Sequence, residues 1–224
     1  IALGRGSGDG MTRDHTPGFW AEEARNLERR FESRVRQPLA RGELDHLSVF
    51  ALAPQPLLIR LGTLLTDLVE VDVYQRHREP PTWRWLEDPH AGSIRVEEPE
   101  SVDGPPALVV ALSGTVSDVS ITAALNGPAS IWRVTVDQPG NDWLRSRGQL
   151  EAFRQTARSL MDRIKAAHGQ EAILHVFPAA PVAVAVELGR IRQPKADLAW
   201  VIYDQHNKLG GFARALDIRK APTT

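Results

Sequence analysis

Val49-Phe50-Ala51-Leu52-Ala53-Pro54, running on to Leu61-Gly62, returns 127 residues downstream as Val176-Phe177-Pro178-Ala179-Ala180-Pro181, running on to Leu188-Gly189. Val, Phe, Ala, Pro, Leu and Gly coincide at six fixed positions of the two copies. Each copy is followed by an apolar strand closed by tyrosine and histidine. These are Val71-Asp72-Val73-Tyr74-Gln75-Arg76-His77 and Trp200-Val201-Ile202-Tyr203-Asp204-Gln205-His206, offset by 129 after a two-residue insertion. A period this long is not that of a solenoid. It marks a duplicated α/β half, and two halves with equivalent loops face each other across one pocket.

The repeated turn has a physical rationale. Its proline opens the following helix where a missing N–H costs nothing, and the alanines before it carry only methyl groups, so a ligand can approach the main chain. The helix N-terminus behind offers free N–H groups and a partial positive charge, a seat for a phosphate or a base edge. The plainer alternative is a compact turn under a packed helix. Gly62 and Gly189 are expected as left-handed caps at the helix ends.

Around these copies the chain reads as alternating strands and helices. Ile1-Ala2-Leu3 resembles the end of a strand entering the glycine-rich Gly4-Arg5-Gly6-Ser7-Gly8-Asp9-Gly10, whose spacing is not that of a dinucleotide fingerprint and which is either a ligand loop or a flexible segment. Trp20, Ala24, Leu27, Phe31 and Val35 recur at helical spacing. Residues 107–112 form a continuous apolar run, the pattern of a buried central strand, and open into Ser113-Gly114-Thr115-Val116-Ser117. Residues 131–136 form a further strand. Ser146 and Gln149 have capping-box spacing ahead of Leu150, Phe153, Ala157, Leu160 and Ile164, which predicts a long helix. A strand at 173–177, a short helix at 181–188 and a strand at 198–203 follow, so right-handed crossovers and a mostly parallel sheet are expected. Glu79-Pro80-Pro81 and Gly104-Pro105-Pro106 bracket an excursion plus linker containing Trp83-Arg84-Trp85. The expected fold class is α/β: one domain over 1–224, with a first Rossmann-like half at 1–103 and a second at 104–224.

Composition removes several functions. A net charge of −1 gives no clustered positive charge for coating duplex DNA or an anionic membrane, and neither partner is expected. The absence of cysteine excludes disulfides, thiol nucleophiles and thiolate metal sites, and suits a reducing cytoplasm. No apolar run approaches the roughly 20 residues a spanning helix needs, and no signal peptide is expected. A chain starting at Ile1 is read as an excised piece, with a partner domain expected elsewhere.

From His175-Val176-Phe177-Pro178-Ala179-Ala180-Pro181 through Ala185-Val186-Glu187-Leu188-Gly189-Arg190 to Tyr203, the second half resembles the SAVED domain of bacterial anti-phage effectors. The resemblance covers most of residues 45–218 by architecture, and the Phe-Pro-Ala-Ala-Pro block with its continuation sharply. The first half departs from it at Ala51-Leu52, where the second half has Pro178-Ala179. The resemblance implies two fused CARF-like halves in a pseudo-two-fold relation. It implies sensing of a cyclic di- or trinucleotide made by CBASS-type nucleotidyltransferases, with CRISPR complexes the source in some relatives. It also implies a fused effector activated by self-association on ligand binding, with no cofactor and no metal. On it, Ser113, Gly114, Thr115 and Ser117 are candidates for phosphate contacts. Phe177, Pro178, Ala179, Ala180 and Pro181, with Phe50, Leu52, Ala53 and Pro54, would line the two turns, and Gly6 and Ser7 would add a first-half loop. Bases need stacking partners, each worth about 1–3 kcal/mol, which makes Trp20, Trp83, Trp85 and Tyr203 candidates. Arg13 and Arg190 are candidate phosphate partners.

Catalysis is the competing class. The seven histidines show no i, i+4 zinc pair, and neither a Walker A sequence nor a nucleophile elbow is present. A ring nuclease remains the alternative, with a ribose 2′-hydroxyl as nucleophile assisted by His77, His206 or Ser113. No catalytic residue is expected in the sensor reading.

Overall fold

The computed structural model describes residues 18–66, 70–86, 93–206 and 211–220. Gly6, Ser7, Arg13 and the strand expected at Ile1-Ala2-Leu3 lie outside them. The apolar stripe beginning at Trp20 folds as α1 (Phe19–Phe31), burying Ala24, Leu27 and Phe31. It continues through a wider π-helical turn at Glu32–Arg36 into α2 (Gln37–Ala40). The first repeat is β1 (His46–Val49), α3 (Gln55–Leu64) and β2 (Glu70–Val73), with β1 and β2 parallel.

The second lobe carries a six-stranded sheet. Its elements are β3 (Arg95–Glu97), β4 (Pro106–Ala111), α4 (Asp118–Leu125), β5 (Ser130–Thr135), α5 (Arg147–His168), β6 (Ile173–Ala179), α6 (Val182–Arg190), β7 (Ala199–His206) and β8 (Gly211–Ile218). The strand order is β3-β5-β4-β6-β7-β8, in which β5, β4, β6 and β7 are parallel and the two edge strands antiparallel. Central β4 is buried at every residue, as a strand covered on both faces must be. On one face Leu108, Val110, Val134, Val176 and Ile202 pack into the main core with α5 and α6. On the other, Ala107, Val109, Ala111, Phe177, Val201 and Tyr203 pack with Ile121 of α4.

Helix α5 starts where the spacing placed it. Ser146 Oγ accepts from Gln149 N at 3.3 Å, and Gln149 Oε1 accepts from Ser146 N at 2.9 Å. Two expectations need correction. Arg95–Glu97, placed by sequence in the first half, pairs with β5 and so belongs to the second sheet. Gly62 and Gly189 are not left-handed caps: they lie inside α3 and α6, neither with positive φ.

The glycines serve the packing of α3 on α6. A Cβ on Gly62 would stand 2.0 Å from the Val186 carbonyl oxygen and 2.9 Å from Gly189 Cα. One on Gly189 would stand 2.0 Å from the Ile59 oxygen and 3.0 Å from Gly62 Cα. Each glycine thus meets the carbonyl three residues before the other, so the crossing is symmetric and lies on the axis relating the lobes. Only hydrogen at both positions lets the backbones approach this closely.

The strand ends repeat as well. The register β1 to β2 ends at Val49↔Val73, and that from β6 to β7 at Val176↔Ile202. One residue further on, Phe50 stacks on Tyr74 with centroids 4.5 Å apart and planes at 10°. Phe177 stacks on Tyr203 at 4.4 Å and 16°.

Candidate functional site: the seam between the repeated turns

The two Ala-Pro turns meet. Ala180 N donates to Gln55 Oε1 at 3.2 Å, joining the second turn to the first residue of α3. Ala183 N, in the first turn of α6, donates to the Oε1 of buried Gln75 at 3.2 Å, and the Nε2 of that glutamine donates to Arg76 O at 3.0 Å. The free amides expected at the mouth of α6 are therefore already occupied at these two positions by side chains of the first lobe. The reciprocal bond is impossible because residue 182, the counterpart of Gln55, is valine. Among the described residues, nothing accepts from Ala53 N.

On the second-lobe side, Leu112 N and Ser113 N both donate to Ala179 O, at 3.0 and 2.8 Å. This ties the loop after β4 to the repeated turn, so Ser113, Gly114 and Thr115 border the seam beside Ala179. Ser117 caps α4, its Oγ accepting from Ser120 N at 3.3 Å. Arg133 braces the loop through Val116 O at 2.8 Å and ion pairs to Asp118 and Glu97. Hydroxyls and main-chain groups here can hold phosphate oxygens without a cluster of fixed cations.

On the first-lobe side, Phe50 and Leu52 are 53% and 66% exposed at the rim. Trp83 closes on Phe50 edge-on, centroids 5.4 Å apart and planes at 90°, and the Arg76 guanidinium lies 5.9 Å from the Trp83 ring. Thus the structure ties the 113–115 loop to Ala179, joins the turn at Ala180 to Gln55 just after the first turn, and sets Trp83 against Phe50 of that first turn.

Other candidates are not brought to the open seam. Phe177, at 0% exposed, and Tyr203, at 6%, belong to the core beneath the sheet, with the Tyr203 hydroxyl 3.0 Å from His175 Nδ1. Neither ring can stack on a base from there. Pro178, Ala180 and Pro181 are buried as well. Trp20 packs on the main core from α1, edge to face with Phe19. Trp85 and Arg190 instead line a flank cleft of about 190 Å³ between the lobes, with Arg147, Arg154, Asp72 and Glu187. Its charges are mutually compensated: Arg147 pairs with Asp72 at 2.7 Å, and Arg154 and Arg190 pair with Glu187 at 3.2 and 2.9 Å.

His77, named for the hydrolytic alternative, is 2% exposed and packed edge-on against Trp85. Desolvation, then the charge of Arg145, pushes its pKa down, so it is a neutral core residue rather than a base presented to a ligand. Among the described residues no group of three or more His, Cys, Asp or Glu is arranged to hold a metal, and no helix is long and apolar enough to cross a membrane.

Sequence reasoning missed Gln55, Gln75, Tyr74 and Arg76. Tyr74 could have been found, since it is the repeat counterpart of Tyr203. The glutamines could not, because the repeat has no counterpart for either bond.

The fold is shared with solved receptors. The chain aligns with the Cap4 SAVED/CARF-domain containing receptor of Acinetobacter baumannii bound to the cyclic trinucleotide 2′3′3′-cAAA, at 12% identity and TM-score 0.66, covering 94% of this chain and 46% of that one. The same receptor with 3′3′3′-cAAA aligns at 10% identity and TM-score 0.64, over 91% and 44%. The corresponding Moraxella osloensis receptor aligns at 14% identity and TM-score 0.57, over 94% and 45%. The chain spans less than half the length of each. No curated protein matches the sequence. The model of the SMODS-associated and fused to various effectors sensor domain matches residues 27–218. With that match over most of its length and a duplicated α/β architecture meeting at one seam, the chain belongs to the SAVED family of sensor domains.

Proposed function

We propose that this chain binds a cyclic oligonucleotide, a cyclic di- or trinucleotide, across the seam between its repeated turns. Binding would draw copies of the domain together and activate an effector fused or linked to it, in cytoplasmic anti-phage defence. The observation that carries the reading is the Ala180–Gln55 hydrogen bond, which puts the mouths of both repeats side by side with the 113–117 loop strapped to Ala179. The cyclic trinucleotides bound by the Acinetobacter receptor of the same fold support the ligand class.

The mechanism is linkage. A ligand touching both lobes favours one arrangement of them by RT ln(1 + [L]/Kd), about 2.7 kcal/mol at a hundredfold excess over Kd. That weight can favour a face that self-associates, and a head-to-tail contact of this kind extends into filaments when it does not close. The ligand is held and released intact.

The test is a thermal-shift screen over cyclic di-, tri- and tetranucleotides, with chromatography of the recovered ligand and sedimentation with and without it. A rise of roughly 5–10 °C for one ligand is expected at such an excess for a chain of this size. Intact ligand and a mass increase are the accompanying results. No shift with any member would overturn the reading; linear products would replace it with the ring-nuclease alternative; unchanged mass would remove self-association alone.

A further inference from the structure

We propose that the Phe50–Tyr74 stack is a platform for a single base, with Arg76 serving the phosphate next to it, so that the repeated lobes grip one ligand by different chemistry. This rests on the sensor reading above and assigns the base-binding subsite within it.

The duplication supplies its own control. Phe50–Tyr74 and Phe177–Tyr203 occupy equivalent positions and share the same parallel geometry, at 4.5 Å and 10° against 4.4 Å and 16°. In the second lobe the pair is sealed: Phe177 is fully buried, with Phe212 edge-on at 5.3 Å. In the first lobe the same pair is left open. Phe50 is stacked on Tyr74, with Trp83 perpendicular to it much as Phe212 is to Phe177, yet more than half of the residue remains in solvent beside exposed Leu52. A ring fixed in orientation by two aromatic neighbours presents a flat apolar surface that loses little entropy on binding, which suits base stacking.

Charge points to the same occupant. Arg147 lies 5.6 Å from the Tyr74 ring and is neutralised by Asp72 at 2.7 Å. Arg76 lies beside Trp83, and no described carboxylate pairs with it. An exposed aromatic ring near a guanidinium with no carboxylate partner among the described residues matches a base followed by its phosphate. An apolar protein partner would leave that cation desolvated and unpaired. The second lobe, lacking an open platform, contributes the polar groups of residues 113–117.

The probe is 3′3′3′-cAAA, with cyclic di-AMP in parallel, titrated by calorimetry against the full chain and against Phe50→Ala, Phe50→Trp, Arg76→Ala and Phe177→Ala. Phe50→Ala is expected to weaken binding tenfold to a hundredfold, since one stacked base is worth that much, with a smaller loss of melting temperature than Phe177→Ala because Phe50 is more than half exposed. Phe50→Trp should restore affinity to near wild type. Arg76→Ala should lower the salt dependence of binding by about one phosphate contact, while Phe177→Ala should act on melting temperature. A wild type that binds neither probe nor any other member of the thermal-shift panel overturns the sensor reading and the platform with it. A wild type that binds while Phe50→Ala binds within twofold of it overturns the platform alone.

Discussion

Gly62 and Gly189 touch backbone to backbone where α3 crosses α6, each filling a space in which a methyl group would stand 2.0 Å from a carbonyl oxygen of the facing helix. The crossing sets the distance between the lobes and hence between their turns. Gly62→Ala gains about 1 kcal/mol of helix propensity, against an overpacking cost of about 3 kcal/mol. The net loss of about 2 kcal/mol should lower the melting temperature by roughly 4–8 °C. An unchanged melting temperature would mean that the helices separate freely.

The glutamine bridges are expected to differ in weight. Gln75 and Ala183 are both buried, so Gln75→Ala strands a main-chain donor away from water and should cost about 1–3 kcal/mol in chemical denaturation. Gln55 is half-buried and its bond to Ala180 N less enclosed than that of Gln75, so Gln55→Ala should cost less than Gln75→Ala. The reverse order would contradict this account of the seam.

Asp197 receives both Nη atoms of Arg158, at 2.6 and 2.7 Å, and Gln193 N at 2.8 Å, tying α5 to the loop after α6. Asp197→Ala leaves a half-buried guanidinium without its main counterion and is expected to destabilise by about 3 kcal/mol. Asp197→Asn should recover part of that, because it keeps an acceptor but not the charge.

Stability should also fall on acidification. Burial lowers the pKa of His77, with Arg145 and Arg76 adding to the effect and Asp142 opposing it. Burial lowers that of His175 too, with the Arg214 charge acting the same way. Below the ordinary histidine value near 6.5 the unfolded chain binds protons that the folded one refuses, so stability is full above that pH and declines beneath it. Denaturation midpoints at pH 7.5 and 5.5 measure this, and His77→Gln should flatten the difference.

Ser113 and Thr115 sit on the strapped loop, half-buried and exposed respectively. Replacing both by alanine is expected to weaken 3′3′3′-cAAA binding about tenfold, the effect of one lost hydrogen bond to a charged group. The melting temperature without ligand should stay constant, because Ser113 N, not its hydroxyl, makes the bond to Ala179.

Much of this was legible in one dimension. The apolar run ahead of Ser113, the Ser146–Gln149 box and the twofold recurrence of the Phe-Ala-Pro block each depend on neighbours within a few residues, and each formed where expected. Helix α4 and strand β8 did not stand out. The eight residues of α4 carry little amphipathic contrast, and β8 is fixed by pairing with β7 rather than by its own pattern.

Sequence alone determined that the chain is a tandem α/β repeat with small-residue turns at equivalent places, because periodicity and turn chemistry are local properties written in residue order. Only the tertiary structure decided what the equivalent residues do. The same Phe-Tyr pair is sealed in one lobe and open in the other, and the same Leu-Gly ends up in a helix crossing rather than at a cap. Burial depends on what packs across a face from distant parts of the chain, and no repeat within the sequence records that.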